Sequence, residues 1–156
     1  MSDTASAAAL SIENLIYTYA GYVDDGDLAA VADLFSEAVI GVDGMDVGLR
    51  GRDRILGLLR STIRLHDDGT PGTKHVTTNV RIEVDDDGTT ASARSYFTVL
   101  QAVPGLPLQT IVAGRYRDRF ALSDGRWLFV ERRFSTDLVG DVSQHLLTGP
   151  EILDGA

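Results

Sequence analysis

Cysteine is absent from the 156 residues of this chain. Disulfides, thiolate nucleophiles and thiolate metal sites are therefore excluded. A chain that needs no disulfide fits the cytoplasm. Histidine is scarce, with three residues. His66, His75 and His145 stand too far apart in sequence for a histidine-rich metal set. No apolar run approaches the ~18 residues of a membrane span, and Met1–Leu10 lacks the basic region of a signal peptide. Positive charge is in the minority: 14 Lys and Arg face 23 Asp and Glu, for a net charge of −9. Such a surface repels phosphate backbones and anionic membranes on average. Arg115, Arg117 and Arg119 alternate along one strand face. They lack the interleaved aromatics of a nucleic-acid platform and read as a salt-bridged ladder facing solvent or a second subunit. There is no GxSxG elbow, phosphate loop, strand-linked GxGxxG or HExxH. Elimination therefore favours chemistry without a cofactor or a metal.

What remains is one domain of helices followed by strands. Ile12, Leu15, Ile16, Tyr19 and Val23 recur at helical spacing after Ser11, a plausible N-cap. Asp24-Asp25-Gly26 ends that helix. Asp27 caps a second, with Leu28, Val31, Leu34 and Phe35 on one face. Short strands at 39–42 and 47–50 precede a third helix over about 53–63. Strands then follow at 75–84, 89–101, 109–122 and 126–136. Asp85–Gly88 and Ser123-Asp124-Gly125 supply turns, and Pro104, Gly105 and Pro107 mark 102–108 as a loop. Long consecutive strands with helices at the front imply an α+β domain with a mostly antiparallel sheet. Residues 1–9 are expected to be flexible and 10–137 to form the domain. Residues 138–156 form a tail or flap, with one short helix near 142–147.

Strand alternation sorts the faces. Val76, Thr78, Val80, Ile82 and Val84 share one face of the first long strand. His75, Thr77, Asn79, Arg81 and Glu83 share the other, which is too polar for a dry core. On the last strand, Trp127, Phe129, Glu131, Arg133 and Ser135 oppose Leu128, Val130, Arg132 and Phe134. Both parities mix apolar and charged residues, as in sheets that curl around a cavity.

His75 on its polar face reads either as a hydrogen-bonded structural residue or as a general acid or base. His66 belongs to an acidic, exposed loop and His145 to the tail. Asp24 and Asp25 lie at a helix C-terminus, where a carboxylate is mildly unfavourable, by about 0.3–1 kcal/mol. That is a weak hint of another purpose. Tyr19 falls among core positions, but a phenol facing a cavity can also donate to a substrate oxygen. Spacing alone does not bring Asp24 to His75.

The run from Ile12 through Asp24 and Asp27 to Val31–Phe35 resembles the opening of SnoaL-like proteins of the nuclear transport factor 2-like superfamily. Lys74–Asn79, the following Ala91–Tyr96 strand and Gly125–Phe134 resemble their central and final strands. The resemblance implies a cone-shaped, curved antiparallel (mixed) sheet, with three N-terminal helices enclosing a pocket. It is strongest with the branch of scytalone dehydratase, bile-acid 7α-dehydratase and hexachlorocyclohexane dehydrochlorinase. There an Asp from the end of the first helix pairs with a His at the start of a long strand; Asp24 and His75 match these positions. Tyr19 matches a substrate-directed tyrosine. Arg133, or alternatively Arg132, falls at a pocket-arginine position. Tyr96 and Asn79 complete the substrate-binding candidates. The second pocket histidine of scytalone dehydratase has no counterpart in Phe97–Gln101. The implied function is a cofactor-independent lyase or isomerase, acting on a small apolar hydroxylated or carbonyl compound as a homodimer or higher homo-oligomer. The alternatives are a non-catalytic small-molecule-binding or dimerisation domain, or a polyketide cyclase.

Overall fold

The computed structural model describes residues 3–149 and 153. Helix α1 spans Asp3–Asp24, α2 Leu28–Leu34 and α3 Arg52–Thr62. The strands are β1 (Val39–Val42), β2 (Leu49–Arg50), β3 (Thr73–Val84), β4 (Thr90–Val103), β5 (Leu106–Ser123) and β6 (Arg126–Val139). They form one six-stranded sheet in the order β2-β1-β6-β5-β4-β3. Only the β1–β6 pair is parallel, so the sheet is mixed, and the α+β expectation is met. No helix among the described residues is long and apolar enough to cross a membrane.

Helix α1 corrects the expected N-terminus, because it is already helical at Asp3. Ala7, Ala8 and Ala9 are strong helix formers, and Ala8 is buried in the core. Ser11 is therefore not a cap. It lies inside the helix, and its hydroxyl donates to the Ala7 carbonyl at 3.0 Å. Met1 and Ser2 lie outside the described residues. Asp27 does cap α2, accepting from the Ala30 N–H at 3.0 Å. The loop expected at 102–108 is instead a tight hairpin. Val103 pairs with Leu106 across Pro104-Gly105, with Gly105 at φ 85°. Proline followed by a positive-φ glycine is the chemistry of such a turn.

Ile12 and Ile16 of α1 pack with Ala91, Ala93, Phe120 and Phe129 of the sheet. Burying each large apolar side chain contributes about 1.5–3 kcal/mol. A second cluster joins Phe97, Val99, Val112 and Tyr116 to Val142 and Leu146 of the tail. No helix forms at 142–147, where the short helix was expected. A single turn brings the Leu146 N–H to the Val142 carbonyl at 2.9 Å, and Leu146 then pairs with Ile63. The tail expectation for 150–152 and 154–156 falls outside the described residues. The outer face carries the expected ladder: Arg115 binds Asp137 at 2.7 Å and Arg117 binds Asp43 at 3.2 Å.

Two bulges overturn the simple alternation. Thr78 pairs with Tyr96, but Arg81 pairs with Arg94, so β3 holds one extra residue. Asn79 takes φ 53° there, a conformation that asparagine tolerates better than most residues. Thr73, His75 and Thr77 point inward before the bulge, and Val80, Ile82 and Val84 after it. On β6, Phe129 pairs with Phe120 and Glu131 with Arg119, so Val130 is the extra residue. Trp127 and Phe129 face in before it, and Arg132 faces in after it.

Candidate active site

Asp24 is the last residue of α1, and its side chain reaches β3. Gly26 makes this junction possible. Its φ is 75°, and a Cβ there would collide with the Gly69 carbonyl, so only glycine lets the 67–70 loop close against the helix end. Asp24 accepts three hydrogen bonds. The Thr73 hydroxyl donates to Oδ1 at 2.8 Å and the His75 backbone N–H to Oδ2 at 2.8 Å. His75 Nδ1 lies 2.6 Å from Oδ1. Both side chains are 8% exposed. Burial favours the neutral carboxyl, but the bonds from His75 and Thr73 outweigh it, and the Asp24 pKa lies below the ordinary value. The ionised carboxylate makes Nδ1 the protonated ring nitrogen, which leaves Nε2 as the basic one.

His75 lines a cavity of about 320 Å³ whose wall is mostly aliphatic and aromatic. Tyr19 and Arg132 line it too. The Arg132 guanidinium lies 4.4 Å from the Tyr19 ring centroid and 3.9 Å from that of Tyr116. Gly114 leaves room for the Phe97 ring, which stacks on Tyr116 at 4.6 Å. Arg132 makes a bidentate pair with Asp118, both bonds at 2.7 Å, with 2% and 0% of the side chains exposed. Burial works against its charge, but Asp118 reverses this and raises the Arg132 pKa above its ordinary value. Burial and the neighbouring Tyr19 push the Tyr116 phenol up, so it stays neutral.

His75 and Tyr19 thus line one cavity, and Asp24 bonds the His75 ring. The other candidates are not. Asn79 is exposed at the β3 bulge, where its backbone conformation is its contribution. Tyr96 is 50% exposed on the outer face, between the inward Ser95 and Phe97. Arg133 is turned away by the β6 bulge and donates to Glu131 and to the Met45 and Val47 carbonyls. Arg132 takes the inward place.

Asp118 and His145 were missed. Asp118 was legible: it alternates with Tyr116 and Phe120, so it shares their buried face and needs a cation. His145 was not legible, because nothing local places the tail. It lies 6.3 Å from His75 between ring centroids. His66 is half-buried rather than exposed, and its Nε2 lies 3.0 Å from the Gln144 carbonyl. Among the described residues no group of three His, Asp or Glu side chains could hold a metal ion.

A curved mixed sheet, with helices over one face and a cavity between them, defines the nuclear transport factor 2-like class. Within that class, residues 4–133 match the family model of the SnoaL-like domain, and the chain belongs to that family. Solved structures agree. A Novosphingobium aromaticivorans protein described as "Putative Scytalone Dehydratase" is 25% identical at a TM-score of 0.71, over 90% of this chain and 91% of that one. Rv3472, a function unknown protein from Mycobacterium tuberculosis, is 27% identical at 0.66, over 83% and 76%. The beta subunit of an aromatic-ring-hydroxylating dioxygenase (also so named provisionally) from N. aromaticivorans shares the fold, at 20% identity and 0.70, over 88% and 94%. No curated protein matches.

Proposed function

We propose that this chain is a cofactor-independent lyase or isomerase of the dehydratase kind, acting on a small, mostly apolar compound with a hydroxyl or carbonyl group. The observation that carries the reading is the buried 2.6 Å contact between Asp24 and His75 on the wall of an apolar cavity. A binding module has no need of an ionised carboxylate orienting an imidazole there, which favours the enzyme over the binder.

In this mechanism His75 Nε2 removes a proton from the carbon beside a carbonyl. The C–H electron pair moves into the C–C bond, and negative charge forms on the carbonyl oxygen. Asp24 stabilises the imidazolium. Tyr19 donates to the charged oxygen, and the fixed charge of Arg132 lowers its energy. An isomerase returns the proton to another carbon. A dehydratase instead expels a β-hydroxyl, which takes the proton from the imidazolium and leaves as water. No oxidant or reductant is needed. The cytoplasm is the location we assign, on the lack of cysteine. A homodimer contact is assigned to the outer sheet face, where Val76 and Tyr96 are 40% and 50% exposed; sedimentation at two concentrations tests it.

The decisive experiment measures dehydration, or α-proton exchange in deuterated water, over a panel of aromatic and alicyclic hydroxy ketones. His75→Ala and Asp24→Asn should each cost about 10²–10⁴-fold in rate. An activity that survives both substitutions removes the general-base role.

A further inference from the structure

His145 is a cavity-lining polar residue that this mechanism does not use. It follows β6 and lies beyond the residues matched by the SnoaL-like family model. Its position is set by bonds that do not involve its ring. The Arg64 N–H donates to the His145 carbonyl, and the Leu147 N–H to the Thr62 carbonyl, both at 2.8 Å. The Gln101 amide donates to the Gln144 carbonyl at 3.0 Å, and Val142 and Leu146 anchor the segment in the core.

The imidazole is therefore held against the cavity without being tied up. His145 is 7% exposed, and its Nδ1 has no hydrogen-bond partner. Buried polar atoms in native proteins are nearly all paired, and an exception calls for an explanation. Packing alone does not supply one, since a phenyl ring would fill the space with no polar atom to strand. Burial first, and then the nearby His75, push the His145 pKa down to about 4. The ring is neutral at pH 7, with one donor and one acceptor to offer.

We infer that His145 is a specificity-determining residue, whose imidazole hydrogen-bonds a substrate hydroxyl beside the carbon facing His75 and so selects β-hydroxy carbonyl compounds over their deoxy counterparts. The inference rests on the proposed role of His75 for the position of that carbon and, for the hydrogen bond, on a His145 ring that lines the cavity while its shielded Nδ1 is bonded to nothing. A site built to bond a hydroxyl rejects the analogue without it, because its own polar group is left unpaired.

The test uses two aryl ketones with no α-hydrogen, so that neither can be enolised or dehydrated: β-hydroxypivalophenone and pivalophenone. The wild type should bind the hydroxy ketone about tenfold more tightly. His145→Phe should bring the ratio close to one while leaving pivalophenone affinity within about twofold, and His145→Gln should restore part of the preference. On the unaltered protein, the imidazole ¹⁵N resonances of His145 should shift with the hydroxy ketone and not with pivalophenone. No preference in the wild type, a preference that persists in His145→Phe, or unmoved ¹⁵N resonances overturns the inference. Deuterium exchange into propiophenone reads His75 alone. Its absence counts against the general-base reading and leaves the hydroxyl preference standing.

Discussion

Toward the β3–β4 turn, Ala91, Ala93, Phe120 and Phe129 pack against Ile12 and Ile16 of α1. At the other end of the same strands, Phe97, Val99, Tyr116 and Arg132 face a cavity. The small alanines let α1 lie close on the sheet. Past Asp24 the helix ends, and α2, α3 and the tail enclose space instead of filling it. Polar groups follow the same division. The cavity end holds His145 and Arg132, both buried, and Asp24 and His75, whose side chains are 8% exposed, while the packed end is lined by apolar side chains. The bulges at Asn79 and Val130 lie at the transition, where they turn His75 and Arg132 inward. A close-packed half therefore serves as a rigid base for the half that carries the polar groups of the cavity.

The boundary between the halves is where the comparison breaks most easily. Arg132→Ala leaves Asp118 buried without its partner and should cost about 3–5 kcal/mol in denaturant unfolding. Replacing both residues by apolar ones should cost much less. That contrast would show the pair to be a device for placing charge rather than a source of net stability.

The open half should also respond to pH in its own way. His145 titrates at about 4 when folded, against 6.5 ordinarily. As pH falls, the unfolded chain takes up this proton first. Stability is then complete above about 6.5 and declines toward pH 4, by up to about 3 kcal/mol. Unfolding followed across this window should flatten in His145→Phe. The Asp24 carboxyl is held below its ordinary 3.8, so its share is present above that value. It is lost only as pH falls through the lowered pKa, and this loss should persist in the same variant.

The smallest effect tests the bulge. Asn79 at φ 53° is unfavourable for a β-branched residue, so Asn79→Val should cost about 1–2 kcal/mol. Asn79→Gly should be close to neutral. If Asn79→Val is instead stabilising, the bulge is not a fixed feature of β3, and the inward placing of His75 loses its support.

Much of this chain was legible before its fold. Helical spacing located the helices, the Asp27 cap and the end of the first helix at Asp24. Turn chemistry and β-branched runs located the strands within a few residues. Such signals are local: capping, periodicity and turn preference act between residues a few positions apart. Strand face, helix end and core position mark His75, Asp24 and Tyr19 as candidates, but only the family resemblance pairs Asp24 with His75, because the two are far apart in the chain and spacing does not join them. Arg133 and Asn79 failed for one reason. Alternation has a period of two, and one inserted residue reverses it for the rest of the strand. Only the register with neighbouring strands shows the insertion. Tertiary structure likewise decided the place of His145, since the bonds that hold it come from α3, β4 and the 64–66 segment. Its own tail carries no periodic signal that could have placed it.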